Sequence, residues 1–192
     1  MNVLIVVATG SEISSEMIRD FPTLTTGVGM LNAAINLTKE LHENKYDLVI
    51  NMGVAGSFSS KIKIGDVVEV TEDYFSEIGF EDGESFSEFS DFDIKDRFIV
   101  AARTSLRKVR AITVNTVHGN QNSIDNIIER LDPDIESMEG AAIFQVCDEM
   151  KIPCMQIRSI SNKVEIRNKD NWQLDLAIRN LNLEIEKIIH SL

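Results

Sequence analysis

Positive charge is scarce in this chain. Nineteen Lys and Arg stand against 31 Asp and Glu, a formal net charge of −12. Nucleic-acid binding rests on basic patches that neutralise phosphates, so this balance weighs against it, and equally against an anionic membrane surface. Long apolar runs are missing too: none approaches the roughly 18 residues a membrane-spanning helix needs. The opening MNVLIVVATG has no basic stretch before its short apolar run, and reads as a buried strand rather than a signal peptide. The two cysteines, Cys147 and Cys154, lie among apolar residues, so reduced core thiols of a cytoplasmic protein are expected. His42, His118 and His190 are scattered without ligand spacing, and no metal or other cofactor is expected. No internal repeat is visible.

What is present is an ordinary apolar fraction, 43% of 192 residues, enough for one domain spanning 1–192 with a full core. The continuous apolar run at 3–8 predicts a strand covered on both faces. Further strands are expected at 24–28, 47–52, 65–71, 109–117, near Ile135, and from Cys154 to Ile160. Helical spacing predicts a helix over 31–43 with Leu31, Ala34, Ile35, Thr38 and Leu41 on its buried face. Others are expected over 123–131, ended by Pro133, over 139–150, and over about 170–190. The last has Leu174, Ile178, Leu181, Ile185, Ile188 and Leu192 as its buried stripe. Strands alternating with helices imply an α/β sandwich with a parallel or mixed sheet. The segment 75–96 stands apart, with eight acids, one lysine and five interleaved phenylalanines. It reads as a solvated connection anchored by phenylalanine, or as a mobile flap offering Phe86 or Phe89 to a site.

Four features follow predicted strands, where ligands bind in open α/β sheets. Glu12 follows the first strand, Gly53 to Gly56 the strand at 47–52, Glu139 the strand near Ile135, and Asn162 the strand ending at Ile160. Glu139 opens a helix and precedes Gly140, Ala141 and Ala142, so a ligand can approach closely. Its carboxylate suits a ribose diol, accepting two charge-assisted bonds; a first-turn acid favoured by the helix dipole is the plainer explanation. Met138 beside it suits packing against a sugar face. Glu12 is either a solvated first-turn acid or a base that positions and deprotonates water. The GVAGSF segment offers backbone groups at Ala55 and Gly56, and lacks the Lys and Ser/Thr of a nucleotide-triphosphate loop. Few cations lie near it, which favours water over phosphate as the acceptor of a glycosyl group. Arg158 suits an ion pair with a buried acid, Glu12 or Glu139. Asn162 either bonds its own backbone or reads a ligand.

The spelling SMEGAA followed by RSISN resembles the purine nucleoside phosphorylase and nucleosidase superfamily. The context of Arg167, Trp172 and SNKVEIRNKDNW is similar to its futalosine hydrolase branch, which serves one menaquinone pathway. The resemblance covers nearly the whole chain. It implies a three-layer α/β domain around a mixed, partly closed sheet, usually as a homo-oligomer, with a purine nucleoside as ligand. It implies that Met138 and Glu139 bind the ribose, that Glu12 activates water, and that Gly53 to Gly56 is the family's small-residue segment. Adenine-directed relatives carry Ser-Asp where this chain has Ser161-Asn162. An aspartic acid donates a proton to the leaving adenine. An asparagine amide cannot, but offers one acceptor and two donors that match a 6-oxopurine. The expectation is therefore a hypoxanthine-releasing N-glycosidase acting on futalosine. The alternatives are a methylthioadenosine/adenosylhomocysteine nucleosidase, a phosphorylase, or a nucleoside-binding sensor without turnover.

Overall fold

The structure is a computed structural model that describes residues 1–83 and 85–192. Among the described residues the strands are β1 Val3–Val7, β2 Thr23–Thr25, β3 Leu48–Ser57, β4 Val67–Phe75, β5 Phe80–Asp82, β6 Ser85–Ser87, β7 Arg97–Ile99, β8 Arg107–Thr113, β9 Ile135–Ser137 and β10 Cys154–Lys163. Five helices are α1 Glu16–Arg19, α2 Met30–Glu43, α3 Gln121–Leu131, α4 Gly140–Glu149 and α5 Leu174–Ser191.

Eight strands form one mixed sheet in the order β10-β4-β8-β9-β3-β1-β2, with β7 beside β4. Because β10 also pairs with β3, five of the strands close on themselves. Strand β1 then extends the sheet outside this ring. The fold is thus α/β with a mixed, partly closed sheet flanked by helices.

Side-chain alternation builds a layer on each face. In β1, Leu4 and Val6 join Ala33, Leu37 and Leu41 of α2 and Ala141 to Phe144 of α4. Val3, Ile5 and Val7 point the other way, to Leu181, Ile185 and Ile188 of α5. That is why β1 is apolar at every position: a strand buried on both faces has no solvated side to alternate with. Among the described residues no helix is long and apolar enough to cross a membrane.

Several predicted boundaries move. The small-residue segment after residue 52 is not a loop but the second half of β3, which pairs with β10 from Val49 to Ser57. Likewise Asn162 does not follow its strand but lies within β10, past a bulge between Ile160 and Asn162. Pairing between these two strands extends both beyond their apolar segments. Helix α2 buries Ala33, Leu37 and Leu41, leaving Leu31 71% and Ile35 44% exposed. Neighbouring α4 takes the small-residue side of α2, so the face predicted from Leu31 and Ile35 is wrong for this chain. The ends of the α5 stripe, Leu174 and Leu192, are also exposed.

In 75–96, β5 and β6 form a hairpin. Phe80, Phe89 and Phe92 pack on one another, and Phe86 stacks on Arg130 at 4.1 Å.

Candidate active site

The site begins at a fork in the sheet. One edge of β3 pairs with β1 as far as Asn51 and with β9 from Gly56 onward. Between these points β3 has no ladder partner on that edge among the described residues. The carboxylate of Glu12, on the turn after β1, fills part of the gap. Its Oε1 accepts from Val54 N at 3.3 Å, and its Oε2 accepts from Ala8 N at 2.9 Å and Thr9 N at 3.0 Å. Such an opening at the carboxyl ends of strands is where α/β sheets place ligands.

Across the fork, Glu139 caps the start of α4 and its Oε1 accepts from Gly29 N at 2.9 Å. Both carboxylates are buried, at 8% exposure for Glu12 and 9% for Glu139. Burial pushes the Glu12 carboxyl above its ordinary value, against the pull of the Thr9 and Val54 N–H groups and of Arg158; the charge of Glu139 pushes the same way as burial. The two acids therefore feel one another.

A cavity of about 430 Å³ is lined by Glu12, Val54, Ala55, Gly56, Met138, Glu139 and Asn162. The predicted site residues are thus brought together. The volume lies in the range of small-ligand pockets, roughly 300–1,000 Å³. None of the residues from 75–96 that the structure describes lines it. A larger hollow of about 690 Å³ lies between Phe86 and Arg130 and shares no residue with it.

Asn162 is only partly committed. Its Oδ1 accepts from Ser161 Oγ at 2.8 Å and its Nδ2 donates to Lys163 O at 2.9 Å. One N–H and one lone pair remain. Both readings of this residue therefore have a share in the geometry: it bonds its own strand and faces the cavity.

Arg158 is buried and donates to Asn51 Oδ1 at 2.6 Å and Gln156 Oε1 at 3.0 Å. Burial pushes both Glu12 and Asp73 up, and the charge of Arg158 opposes that rise at each. Gln156 donates to Asp73 Oδ2 at 2.9 Å, Asp73 accepts from Thr113 at 2.9 Å, and Thr113 accepts from Ala141 N at 2.8 Å. This polar chain runs from beside Glu12 to the first turn of α4. Two glycines make room for it. A Cβ on Gly53 would lie 2.4 Å from Arg158 Nη1 and 2.9 Å from Glu12 Oε1. A Cβ on Gly140 would lie 2.2 Å from both Asp73 Oδ2 and Gln156 Oε1.

The sequence reading missed His118 and Glu136, which also line the cavity. Glu136 is an acid in the middle of the short buried strand β9, and that is a signal in hindsight. Arg167 and Trp172 reach the cavity as well, with the guanidinium 5.2 Å from the indole ring centre. Among the described residues no group of three or more His, Cys, Asp or Glu is placed to hold a metal ion.

Comparison with known proteins identifies the family and the fold. The family model of the phosphorylase superfamily matches residues 22–190. A 5'-methylthioadenosine/S-adenosylhomocysteine nucleosidase from Anoxybacillus flavithermus is 32% identical over 153 residues, 72% of this chain. The match spans 66% of that relative's length. Among solved structures, the nucleosidase of the same description from Neisseria meningitidis, in complex with methylthio-immucillin-A, superposes with a TM-score of 0.82 at 20% identity, covering 100% of both chains. Futalosine hydrolase of Helicobacter pylori superposes with a TM-score of 0.81 at 15% identity, covering 99% of this chain and 97% of that one. At these identities the structures speak for the fold. The sheet fork, the cavity and the family match over most of the chain lead to one assignment: the chain belongs to the phosphorylase superfamily.

Proposed function

We propose that this chain, residues 1–192 acting as one nucleoside phosphorylase-like domain, hydrolyses the N-glycosidic bond of a purine nucleoside. One observation carries the reading. Two buried carboxylates, Glu12 and Glu139, share the cavity with an uncharged amide, Asn162, while the Arg167 guanidinium lies against Trp172 and His118 Nδ1 is paired with Glu136. Glu139 takes the ribose hydroxyls and Met138 the sugar face, with the backbone of Ala55 and Gly56 alongside. Glu12 accepts a proton from water, and the hydroxyl adds to C1′ as the C1′–N9 bond breaks. The bonding pair passes to the purine, where Asn162 bonds it. Burial and the neighbouring charge of Glu139 raise Glu12, which makes it a stronger base than a solvated glutamate.

For the substrate we propose futalosine, cleaved to hypoxanthine and dehypoxanthine futalosine in menaquinone biosynthesis. Asn162 supports it, because a neutral amide bonds a 6-oxopurine without first being protonated. The second reading is a methylthioadenosine/adenosylhomocysteine nucleosidase, favoured by the 32% identical relative. The exposed Val28, Leu31 and Ile35 around the start of α2 support a homo-oligomer, dimer or higher.

The test is base release from futalosine, methylthioadenosine and inosine, each with and without phosphate. Hypoxanthine release from futalosine, independent of phosphate, is expected. A rate that rises with phosphate and yields a sugar 1-phosphate would move the protein to the phosphorylases. Adenine release from methylthioadenosine alone would establish the second reading.

A further inference from the structure

The cavity holds a paired imidazole and carboxylate that the proposed mechanism leaves unused. His118 Nδ1 lies 2.6 Å from Glu136 Oε2, and His118 N donates to Glu136 Oε1 at 3.1 Å. Glu136 is only 4% exposed and held in β9 between Ile112 of β8 and Gly56 of β3. The carboxylate is an acceptor, so it fixes Nδ1 as the protonated nitrogen. Phe58 packs against the ring edge-to-face, with ring centres 5.9 Å apart. Ring position and tautomer are thus set, and Nε2 takes no hydrogen-bond partner among the described residues.

The pair stands at the Asn162 end of the cavity. The point where a Cβ on Gly56 would sit is 3.2 Å from Asn162 Nδ2 and 3.5 Å from Glu136 Cγ. The amide and the carboxylate therefore flank one spot on β3. The mechanism has an unmet need at this end. The departing purine gains an electron pair, and Asn162 has no proton to give.

We propose that His118, held by Glu136, is the general acid that protonates the leaving base. The inference rests on the N-glycosidase reading above. As the C1′–N9 bond breaks, the Nε2 proton of the imidazolium passes to the purine and the bonding pair stays there. The water that attacks C1′ gives its proton to Glu12. The imidazole, left neutral, recovers a proton from solvent, and Glu12 returns its own. Glu136 is a positioning residue, which balances the imidazolium charge and acts on the base only through His118. The charged groups sharing the cavity with the imidazole are Glu136 from β9, Glu12 from the turn after β1, Glu139 from α4 and Arg167 from the segment after β10. Three of these four are acidic, so the ring shares the cavity with mostly anionic side chains.

The experiment is kcat/KM for futalosine against pH in the wild-type protein, His118→Gln and Glu136→Gln. Wild type should lose activity as pH rises and the imidazolium is depleted. His118→Gln should lower kcat/KM by about 100- to 1,000-fold on the low-pH side and abolish that limb. Glu136→Gln should keep the limb but move it to lower pH, because the charge that stabilises the imidazolium is gone. No limb in the wild-type protein, or a limb unchanged in His118→Gln, overturns the proposal. If His118→Gln does not fold, an unmoved limb in Glu136→Gln overturns it instead. A wild-type protein that cleaves no purine nucleoside at any pH overturns the N-glycosidase reading, and this inference with it. A wild-type protein that cleaves while the variants keep its profile removes the acid alone.

Discussion

Gly140→Ala is the substitution for which local and tertiary physics disagree most sharply. Gly140 is the first residue of α4 and is fully built into a helix. Its φ is not in the left-handed region. Considered as a helix position, alanine should stabilise by up to about 1 kcal/mol. The structure predicts the reverse. The new Cβ would sit 2.2 Å from Asp73 Oδ2 and 2.2 Å from Gln156 Oε1, both on side chains with no exposure. Overpacking of this kind costs about 1–3 kcal/mol. Displacing Gln156 also breaks its bond to the buried Asp73, and a hydrogen bond to a charged group contributes roughly 1.5–3 kcal/mol. The net expectation is a loss of about 2–5 kcal/mol, a large part of the 5–15 kcal/mol that typically separates folded from unfolded domains. Urea unfolding measures it directly. With a slope of about 2 kcal/mol per molar, the midpoint should fall by roughly 1–2.5 M. A midpoint equal to or above wild type would mean that the polar chain from Arg158 to Ala141 is not seated against α4 as described.

Glu139→Gln should lower kcat/KM about 10- to 100-fold, the loss of one charge-assisted bond in the transition state; a change within twofold would count against the ribose role. Glu12→Gln should spare binding and reduce kcat by about 100- to 10,000-fold, and in the wild-type protein kcat should fall with acid at a pH above the ordinary glutamate range, because burial raises this carboxyl. Burial also raises Asp73 from 3.8 to about 6. Its contribution to stability is complete below the unfolded value and is lost as pH rises through about 6. Asp73→Asn should therefore remove a fall in unfolding free energy on the order of 3 kcal/mol between about pH 4 and pH 7, and parallel pH profiles for the two proteins would refute it. Asn162→Asp should slow futalosine cleavage and narrow the preference over aminofutalosine, which differs at the purine 6-position; an unchanged ratio would show that Asn162 does not read the base.

Local chemistry in the sequence determined a good deal. The unbroken apolar run of β1 required a strand covered on both faces, and the α/β alternation required helices to do the covering. The place of Glu139 at the head of a helix was legible from a strand, an acid and three small residues in succession, whereas its pairing with a sugar came only from the resemblance. Helix positions followed from spacing, since an i to i+4 period is a property of the segment alone. What the sequence did not decide was everything that depends on pairing at long range. Strands β3 and β10 run on past their apolar segments because each supplies the other's hydrogen bonds, and no local pattern records that. The buried face of α2 was set by α4, so Ala33, Leu37 and Leu41 went inward and Leu31 outward. Gly53 and Gly140 read as small residues near a ligand, yet each also leaves the space that Arg158 or Asp73 occupies. His118 and Glu136 are eighteen residues apart in the chain, and neither is distinctive alone. They meet because β8 and β9 are neighbours in parallel register, so that the segment leaving β8 turns back over the middle of β9. Side-chain type sets what a residue can do, but the sheet's closure decides which residues face the same space.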